Sequence, residues 1–518
     1  KMTDVRVTFE KILPSGPAPE PSVTVLNWSA QEACSRNFSL NIRLSLENVS
    51  DRIHFVQAGR VVSDCTWRLT VESSPLINDG TEIKPIESVR YFHGYLVTVS
   101  EASENETQCT LDVVLAPVTL PLSFARATRS YKEKSVVDLF GDGIEKLKSL
   151  TVGQTALAPL DKHLARDDYP LWESRIQYRE PDWEFLKRTL ERDGLYFFFE
   201  HRELDTVIHL CDSYDQHDNV AKHDDPYVRS DRSISSIQAF SEVVPQHVCV
   251  SGYQYLTDGL NLYSSVDTDT LNSAAPVIST EKSELGRPHT VLLEGLVTPP
   301  GDVIDNSVIL ADLNHLVVCR AEEIVASGHF VQGVSTIPGL FPGSVITVEG
   351  FDDLCPAGEE LFIAKVEHHC EKGREGVPGL SYRNRFTAYR MSGLEKVQFR
   401  PSRTTERPRI PGFVTGFINE YRYPSLDTPP IADRDGIGRF NVVYQFDAFD
   451  GAPDSTNVIR MRTIRAGAGS RGGTYHALYD GAEVVVGFFK GDPDQPIIVG
   501  SAFNTVDVDP TLSEDYFI

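Results

Sequence analysis

A glycine-rich run near residue 467 has the spacing of a dinucleotide-binding loop. Gly467, Gly469 and Gly472 fit the pattern G-x-G-x-x-G after a predicted strand. Such a loop holds a pyrophosphate only when a helix begins directly after the glycines, because the helix N-terminus supplies the N–H groups that bind the anion. Here residues 473–480 reach an Asp-Gly turn within one strand length. The run therefore predicts a glycine-rich hairpin and no nucleotide cofactor.

Two groups of histidines could supply metal ligands. His201, His209, His217 and His223 lie among aspartates, with spacings of eight, eight and six residues that do not share one helical face. That stretch is predicted to be a solvated polar loop. In the run 368–370, which is His-His-Cys, the two histidines of a strand would point to opposite faces. No metal ligand is predicted.

Motifs for nucleophilic or hydrolytic catalysis are missing from the sequence. There is no G-x-S-x-G elbow, no H-E-x-x-H pair and no Walker A loop. Acidic pairs such as Asp352 and Asp353 occur, as they do in any acidic chain. The sequence therefore predicts no catalytic residue, no cofactor and no enzymatic activity.

Composition limits the classes of partner. The chain has 518 residues, too many for one hydrophobic core, so two or more domains are expected. Its 49 basic and 74 acidic residues give a net charge of −25, which repels phosphate and anionic lipid. Neither nucleic-acid binding nor a membrane anchor is predicted. Many Val, Thr, Tyr and Phe residues favour strands.

The cysteines and the first residues indicate a compartment. Eight widely spaced cysteines without a C-x-x-C pair predict neither a disulfide framework nor a zinc site. Residues 1–5 do not begin a secretory signal, and no run of 18 apolar residues exists. We expect synthesis in the cytoplasm without a signal peptide, with reduced thiols and export by another route. The cysteines are Cys34, Cys65, Cys109, Cys211, Cys249, Cys319, Cys355 and Cys370.

The first 400 residues alternate between strand and helix patterns. Regularly spaced strands indicate a barrel or sandwich, and residue 195 begins a strand that is too apolar to lie at a sheet edge. Three helices interrupt the strands, with glycine stop signals at Gly141 and Gly143, at Gly194 and at Gly328. The predicted strands are 23–28, 38–44, 67–72, 90–99, 110–115 and 195–200, with a turn at 78–80, and the helices are 135–140, 181–190 and about 311–327.

A linker separates this part from a shorter, strand-rich one. Residues 396–411 are rich in proline and arginine, which favours an extended, semi-rigid path. Residues 412–504 alternate strands with Asp-Gly turns and predict a small OB-type β-barrel. The fold class is therefore mainly β: two barrel-like subdomains with helical insertions in residues 1–395, then the OB barrel.

Five blocks, in order between residues 25 and 500, have sequences that occur together in one family. They resemble the VgrG family of type VI secretion spike proteins, whose fold is a fused contractile-tail hub and OB-fold spike. The order of the blocks over nearly the whole chain makes the resemblance specific. The blocks are 25–40, the strand RYFHG at 90–94, 176–201, the junction 399–401 with 408–412, and 481–500.

The resemblance implies a structural function. Three copies would stand on an Hcp-like tube, contact baseplate components, bind a PAAR-like tip and carry effectors or their adaptors. The machine would secrete the spike into the medium or a target cell. Two alternatives are the spike of a phage or extracellular contractile particle, and a glycan-binding OB module. The family continues past the OB domain into a β-stalk, so residues 505–518 are expected to begin a truncated stalk that lacks the tip-binding surface.

Overall fold

The computed structural model describes most of the chain, in segments. Each element below lies within these segments, and the predicted turn at 78–80 and the expected stalk start at 505–518 lie wholly or partly outside them. The described residues are 5–13, 16–17, 23–46, 66–78, 82–105, 108–150, 159–214, 222–223, 225–257, 262–271, 277–278, 289–293, 296–300, 306–356, 358–372, 379–393, 395–419, 431–447, 458–469 and 472–504.

Strands dominate the described segments, which confirms the mainly β fold class. In chain order they are β1 (Arg6–Leu13), β2 (Gly16–Pro17), β3 (Val23–Ala33), β4 (Ser39–Leu46), β5 (Thr66–Ser73), β6 (Leu76–Asn78), β7 (Ile83–Pro85), β8 (Ser88–Asn105), β9 (Gln108–Ala116), β10 (Arg126–Lys134), β11 (Leu160–His163), β12 (Trp172–Pro181), β13 (Tyr196–His201), β14 (Thr206–Cys211), β15 (Tyr227–Val228), β16 (Ile234–Ser241), β17 (Val244–Pro245), β18 (His247–Ser251), β19 (Tyr263–Asp267), β20 (Val277–Ile278), β21 (His289–Leu293), β22 (His329–Ser335), β23 (Val345–Glu349), β24 (Glu360–Lys372), β25 (Leu380–Arg390), β26 (Val414–Ile418), β27 (Phe440–Tyr444), β28 (Ile459–Met461), β29 (Ala468–Gly469), β30 (Gly472–Gly473), β31 (Glu483–Phe488) and β32 (Pro496–Ser501).

Helices occur as insertions between these strands. None of them, within the described segments, combines the length and the apolar character needed to cross a membrane. The α-helices are α1 (Leu120–Phe124), α2 (Val136–Leu150), α3 (Asp182–Asp193) and α4 (Asn306–Gly328), and the 3-10 turns are Thr268–Thr270 and Phe489–Gly491.

The first barrel closes on itself. Strands β1, β5, β8, β9, β4, β3, β24 and β25 pair in that order, each antiparallel to the next. An antiparallel bridge between Leu380 in β25 and Val5, directly before β1, joins the two ends. Strand β4 alternates buried and outward side chains, so Leu40, Ile42 and Leu44 enter the core as the period-two pattern predicts.

The second barrel shares strands β24 and β25 with the first. Its order is β15, β23, β24, β25, β22 and β16, and a parallel bridge between Arg229 and Ile234 joins β15 to β16. Val366 of β24 packs in the second core, whereas Cys370 of the same strand packs in the first. The two predicted subdomains are therefore one double barrel built on common strands.

The C-terminal barrel is a separate, smaller closed sheet. Its strands run in the order β28, β27, β26, β31 and β32, all antiparallel. Ile498 of β32 closes the sheet: its N–H donates to the Arg462 carbonyl at 2.9 Å, and its carbonyl accepts from the Ile464 N–H at 2.8 Å. A five-stranded closed sheet with an apolar core is the predicted OB-type barrel.

Two sequence predictions about local structure are wrong. The helix expected to stop at Gly141 continues to Leu150 as α2. Its start is fixed by a reciprocal cap between Ser135 and Asp138, and Gly143 lets α2 approach α3 closely. A Cβ at Gly143 would lie 2.4 Å from Leu186 Cδ1. The helix predicted from about residue 311 begins earlier, at Asn306.

Strand β13 lies at the edge of its sheet, contrary to the expectation from its apolar sequence. It pairs with β14 alone in the order β11, β14, β13. Its outer edge is nevertheless covered, since the Ser35 N–H donates to the Phe197 carbonyl at 2.8 Å and the His93 N–H donates to His201 Nδ1. The apolar sequence of β13 therefore indicates that the strand is buried, and it does not indicate that the strand lies in the middle of its sheet.

Gly94 has a steric role in the RYFHG strand. An added Cβ would lie 2.4 Å from the Ala116 carbonyl oxygen, which is backbone and cannot move aside. We expect Gly94→Ala to lower the free energy of unfolding by about 1–3 kcal/mol, as overpacked cores do. Urea denaturation measures it. Gly500→Ala, where nothing lies within 4 Å, is the matched control, and equal effects of the two substitutions would contradict the steric explanation.

Candidate functional site: the junction between the double barrel and the C-terminal barrel

The glycine-rich run is a hairpin, as predicted. Strands β29 and β30 pair antiparallel, with Ala468 opposite Gly473 and Gly469 opposite Gly472. No helix N-terminus follows the glycines in the described residues, since 474–478 have no regular structure. The run therefore lacks the geometry of a pyrophosphate site.

The histidines at 201–223 do not form a solvated loop, and that prediction is wrong for two of them. His201 and His209 are buried in strands β13 and β14, facing different neighbours. His201 contacts His93 and Thr206, His209 contacts His163 and Glu200, and His223 lies 3.1 Å from the Tyr227 hydroxyl. His217 lies outside the described residues.

Histidines 368 and 369 lie on opposite faces of β24. His369 is exposed, whereas His368 is buried with Nδ1 2.6 Å from the Tyr382 hydroxyl and Nε2 3.0 Å from Glu32. Glu32 also pairs with Arg90 inside the first barrel. Although burial acts to raise it, Arg90 and His368 hold the pKa of Glu32 below its ordinary value. This network cross-links strands of the barrel.

All seven described cysteines are buried and free of disulfides, as their spacing predicts. Cys319 lies on α4 and faces the end of α3, with its Sγ 3.4 Å from His315 Nε2. Against the effect of burial, Arg400 and His315 lower the pKa of the Cys319 thiol. Because the thiol is enclosed, this pair is a structural contact and not an accessible nucleophile.

The segment between the barrels is packed against the double barrel. Residues 395–411 contain neither helix nor strand, yet the side chains of Val397, Phe399 and Ile410 are buried. The Phe399 ring lies 5.1 Å from the rings of both Tyr196 and Tyr389. An extended chain that buries an aromatic anchor has a fixed path along the surface.

Arg400 fastens this segment to three places at once. Its Nε pairs with Glu322 of α4, and its Nη1 donates to the carbonyls of Gly194 and Asp212. Against the effect of burial, Cys319 and Glu322 raise the pKa of Arg400, so it stays charged. The guanidinium thereby ties the ends of α3 and β14 to α4.

Glu191 of α3 fixes the next residues. Its carboxylate accepts hydrogen bonds from the Thr405 N–H at 3.0 Å, from the Thr405 hydroxyl at 3.0 Å and from the Thr404 hydroxyl at 3.2 Å. Glu323 accepts from the Arg403 N–H at 2.8 Å. The segment is thus hydrogen-bonded to two helices, α3 and α4.

Asp494 lies where the segment, the double barrel and the C-terminal barrel meet. It pairs with Arg407, and its Oδ1 accepts from the Ile176 N–H of β12 at 2.9 Å. Although burial acts to raise it, Arg407 and Arg175 hold the pKa of Asp494 below its ordinary value. The neighbouring Asp492 also contacts Arg407, 2.8 Å from its Nη2.

Two further contacts join the barrels directly. Arg439 of the C-terminal barrel pairs with Glu173 of β12 at 2.9 Å and with Asp435. Asp447 accepts from the Ser130 N–H of β10 at 2.8 Å and from the Ser130 hydroxyl. Ile176 belongs to the apolar core of the C-terminal barrel although β12 belongs to the double barrel. The barrels are therefore coupled through an interface, not through a flexible tether.

The junction holds buried charge pairs and presents no assembled nucleophile, base and oxyanion donor among the described residues. Its chemistry is structural: buried ion pairs and hydrogen bonds that fix one domain orientation. The sequence identified 396–411 from its prolines and arginines and predicted an extended, semi-rigid path, but it did not predict which residues of the two barrels the segment contacts. The partners Glu173, Glu191 and Asp494 had no sequence signal, because each is an ordinary acidic residue until the fold buries it.

Two fused barrels clamped to a small closed barrel define the class: a contractile-tail hub carrying an injector barrel. The sequence model of the phage tail baseplate hub family matches residues 31–374, more than half of the chain. The model of the type VI secretion system and phage-baseplate injector OB domain matches residues 431–503. The chain belongs to the phage tail baseplate hub family, and its predicted resemblance to VgrG spike proteins is confirmed.

Named relatives are VgrG proteins. The type VI secretion system spike protein VgrG1c of Pseudomonas aeruginosa is 24% identical over 81% of this chain and 54% of its own length. VgrG5 of the same organism is 24% identical over 93% of this chain and 56% of its own length. The chain spans about half the length of the curated relatives it matches.

Solved structures share the fold. The E. coli c3393 protein is described as a component of the type VI secretion system with similarity to the T4 tail proteins gp27 and gp5. It superposes with a TM-score of 0.58 at 17% identity, covering 96% of this chain and all (100%) of its own. The lidded Francisella PdpA–VgrG complex gives a TM-score of 0.63 at 9% identity, covering 98% of this chain and 72% of its own.

Proposed function

We propose that the chain is the structural spike of a type VI contractile injection machine, in which a trimer stands on an Hcp-like tube and punctures a target envelope. The clamped junction carries this proposal. A spike driven from its base must pass force from hub to barrel without bending, and the buried pairs of Arg400, Arg439 and Asp494 supply that rigidity. The spike relatives support it.

The partners and route follow from the same proposal. The spike would contact baseplate components, bind a PAAR-like tip, carry effectors or their adaptors, and leave the bacterial cytoplasm through the apparatus. It would act without catalysis. One relative is named the actin cross-linking toxin VgrG1 of Vibrio cholerae, but this chain, at 21% identity, covers only 36% of that protein's length. The name therefore does not assign that activity to the hub and barrel.

Exposed apolar side chains on the C-terminal barrel support a trimer. Phe413, 67% exposed, lies beside Gly487 and Val499 on one patch of the surface. A second patch joins Ile431 and Tyr479 through a backbone bridge, and they are 57% and 47% exposed. Apolar patches of this kind mark protein interfaces, and a three-fold closed interface is self-limiting.

Assembly with the tube protein tests the proposed function. The chain would be purified with the tube protein encoded beside its gene, and image averaging should show one three-fold spike seated on one ring. Neighbouring genes for a sheath, tube and ATPase would distinguish a type VI apparatus from a phage-like particle. A chain that stays monomeric and does not bind the ring of tube protein would contradict the proposal. Binding on a glycan array instead would favour the glycan-binding OB module.

Phe413→Asp is expected to prevent trimer formation. The carboxylate would be buried without a cationic partner in the subunit interface, which costs several kcal/mol. Multi-angle light scattering should shift from three chains to one. Phe124→Asp is the matched control, because Phe124 is 73% exposed but lies on α1 of the double barrel. Loss of the trimer in both variants would place the interface elsewhere.

A further inference from the structure

Three potential metal ligands meet on the small sheet formed by β11, β14 and β13. Strands β11 and β14 run parallel, with Asp161 opposite His209 and His163 opposite Cys211. Asp161 and His163 are two residues apart on one strand, so their side chains share a face, and His209 joins them from the neighbouring strand. The ligand atoms of Asp161, His163 and His209 all lie within 4.8 Å of one another.

The distance between the two imidazoles suits one ion. His163 Nε2 lies 3.0 Å from His209 Nδ1. In a tetrahedral site with bonds of about 2.0–2.1 Å, neighbouring ligand atoms are about 3.3 Å apart. A shift of a few tenths of an ångström would therefore convert an N–H···N hydrogen bond into two metal–nitrogen bonds. The carboxylate of Asp161 is exposed and can rotate to complete a third position.

Glu200 holds His209 in the tautomer that a metal needs. The His209 Nε2 lies 3.0 Å from Glu200 Oε2, so Nε2 carries the proton and donates it to the carboxylate. That leaves the lone pair of Nδ1 directed at His163. A carboxylate that receives the second N–H of a ligating histidine is a regular feature of protein zinc sites. The arrangement thus supplies both the ligands and the group that orients one of them.

The position of His209 is fixed from the other side as well. Its ring stacks on Phe198 with centroids 4.8 Å apart, and its side chain is 2% exposed. Two neutral imidazoles and one carboxylate are the donor set that Zn²⁺ and related ions prefer over Mg²⁺ or Ca²⁺.

We propose that Asp161, His163 and His209 bind one first-row divalent transition-metal ion of the Zn²⁺ type, with water in the fourth position. Binding displaces the proton from His163 Nε2, and that imidazole carries its proton on Nδ1 instead, so both histidines remain neutral ligands. The ion joins β11 to β14 next to the junction, because β14 leads directly into Asp212, whose carbonyl accepts from Arg400. The bound ion therefore cross-links two strands of the sheet that the junction segment contacts.

Zn²⁺ titration of the tag-free, chelator-treated and dialysed protein tests this site. We expect one Zn²⁺ per chain by elemental analysis, a micromolar or tighter Kd by calorimetry, and a rise in melting temperature. Asp161→Asn and His163→Gln should each weaken binding at least tenfold. Glu200→Gln should weaken it about 10–100-fold, as loss of an orienting partner does.

His369→Gln is the matched control, because His369 is an exposed histidine beside Glu371 on β24. Its Zn²⁺ affinity should equal that of the unaltered protein, and circular dichroism should show that every variant is folded. Two results would overturn the proposal. One is substoichiometric binding by the unaltered protein, which would leave a simple hydrogen bond between the imidazoles. The other is equal Zn²⁺ affinity in Asp161→Asn, His163→Gln and the unaltered protein.

Discussion

Replacing Arg439 with methionine is expected to lower the free energy of unfolding of the C-terminal barrel by roughly 3–5 kcal/mol, the usual cost of removing one partner of a buried ion pair. Arg439 is completely enclosed, and its guanidinium contacts both Glu173 and Asp435. Methionine preserves much of the volume but leaves two buried carboxylates without that partner. Urea denaturation followed by fluorescence, with limited proteolysis of the barrel, measures the change.

The control for this substitution contacts the same carboxylate from the surface. Arg460 is 30% exposed, and its Nε lies 3.9 Å from Glu173 Oε1. A solvent-screened pair of this kind contributes at most about 1 kcal/mol. Arg460→Met should therefore be nearly neutral. If it destabilised the barrel as much as Arg439→Met, the buried geometry of Arg439 would not explain the effect.

The pKa of Glu173 provides a second test, because it fixes the direction in which the effect of Arg439→Met changes with pH. Burial raises the pKa of Glu173 to about 7, against the opposing effect of Arg439. Without Arg439 the pKa rises further, so the folded variant holds a proton that the unfolded chain has lost above pH 4.5. The unaltered protein also holds this proton up to about pH 7, so the destabilisation in Arg439→Met relative to it should grow as pH rises above about 7. Adding Glu173→Gln should recover part of the stability at pH 8, because the neutral amide no longer needs a cation.

The junction explains how the described residues could act mechanically without catalysis. Contacts of Arg400, Glu191 and Asp494 each join a different element to the connecting segment or to the C-terminal barrel. A load on the barrel is therefore shared among α3, α4 and β12 instead of falling on a single polypeptide link. Contacts distributed over several elements resist bending better than a flexible linker of the same length.

Patterns that depend on a repeating period were readable from the sequence. The alternation in β4, the apolar stripe of α3 and the Asp-Gly turns of the C-terminal barrel each report a local rule, so the mainly β class and the small closed barrel were predictable. The helix from 182 ends at Gly194, which adopts a left-handed φ of 73°. Only a residue without a Cβ does so freely, which is why this stop signal was reliable.

Features that depend on distant partners were not readable. Gly141 and Gly143 resemble a helix stop. Position 143, however, has no room for a side chain, because Leu186, 43 positions later in the chain, packs over it. His209 was grouped with His201 by sequence distance, whereas its actual neighbour is His163, 46 positions away. Glu173 and Asp494 acquire their importance only through burial beside arginines. Such roles arise from tertiary packing, for which a single sequence has no local signal.

The second prediction with a large effect concerns acid. His93, His201 and His368 are buried around Arg90 in the first barrel, and burial, reinforced by that cation, lowers the pKa of each. For His93 the value is about 4. Glu32 opposes this shift at His368, while the Tyr382 hydroxyl and the Arg202 carbonyl supply neutral partners to His368 and His93.

Loss of stability between pH 7.5 and 5 is the expected result. The unfolded chain protonates its histidines near pH 6.5, whereas burial holds the pKa of these three below that value in the folded barrel. The unfolded state therefore binds more protons in this window and gains stability relative to the folded state as pH falls. At pH 5 each histidine that stays neutral costs roughly 2 kcal/mol. Glu32, with its lowered pKa, loses its contribution only below pH 4.5, outside this window. His315, whose pKa is raised, offsets part of the loss.

His93→Gln separates this cause from general acid sensitivity. The glutamine amide can still donate to the Arg202 carbonyl, which His93 Nε2 contacts at 2.7 Å, but it has no proton to gain. Urea denaturation at pH 7.5, 6.0 and 5.0 should show a pH slope that is shallower by about 1.4 kcal/mol per pH unit below pH 6. Exposed His369→Gln should keep the original slope. An unchanged slope in His93→Gln would place the acid sensitivity outside the barrel core. A shallower slope would show that this buried cluster lowers the free energy of unfolding of the spike in an acidic medium.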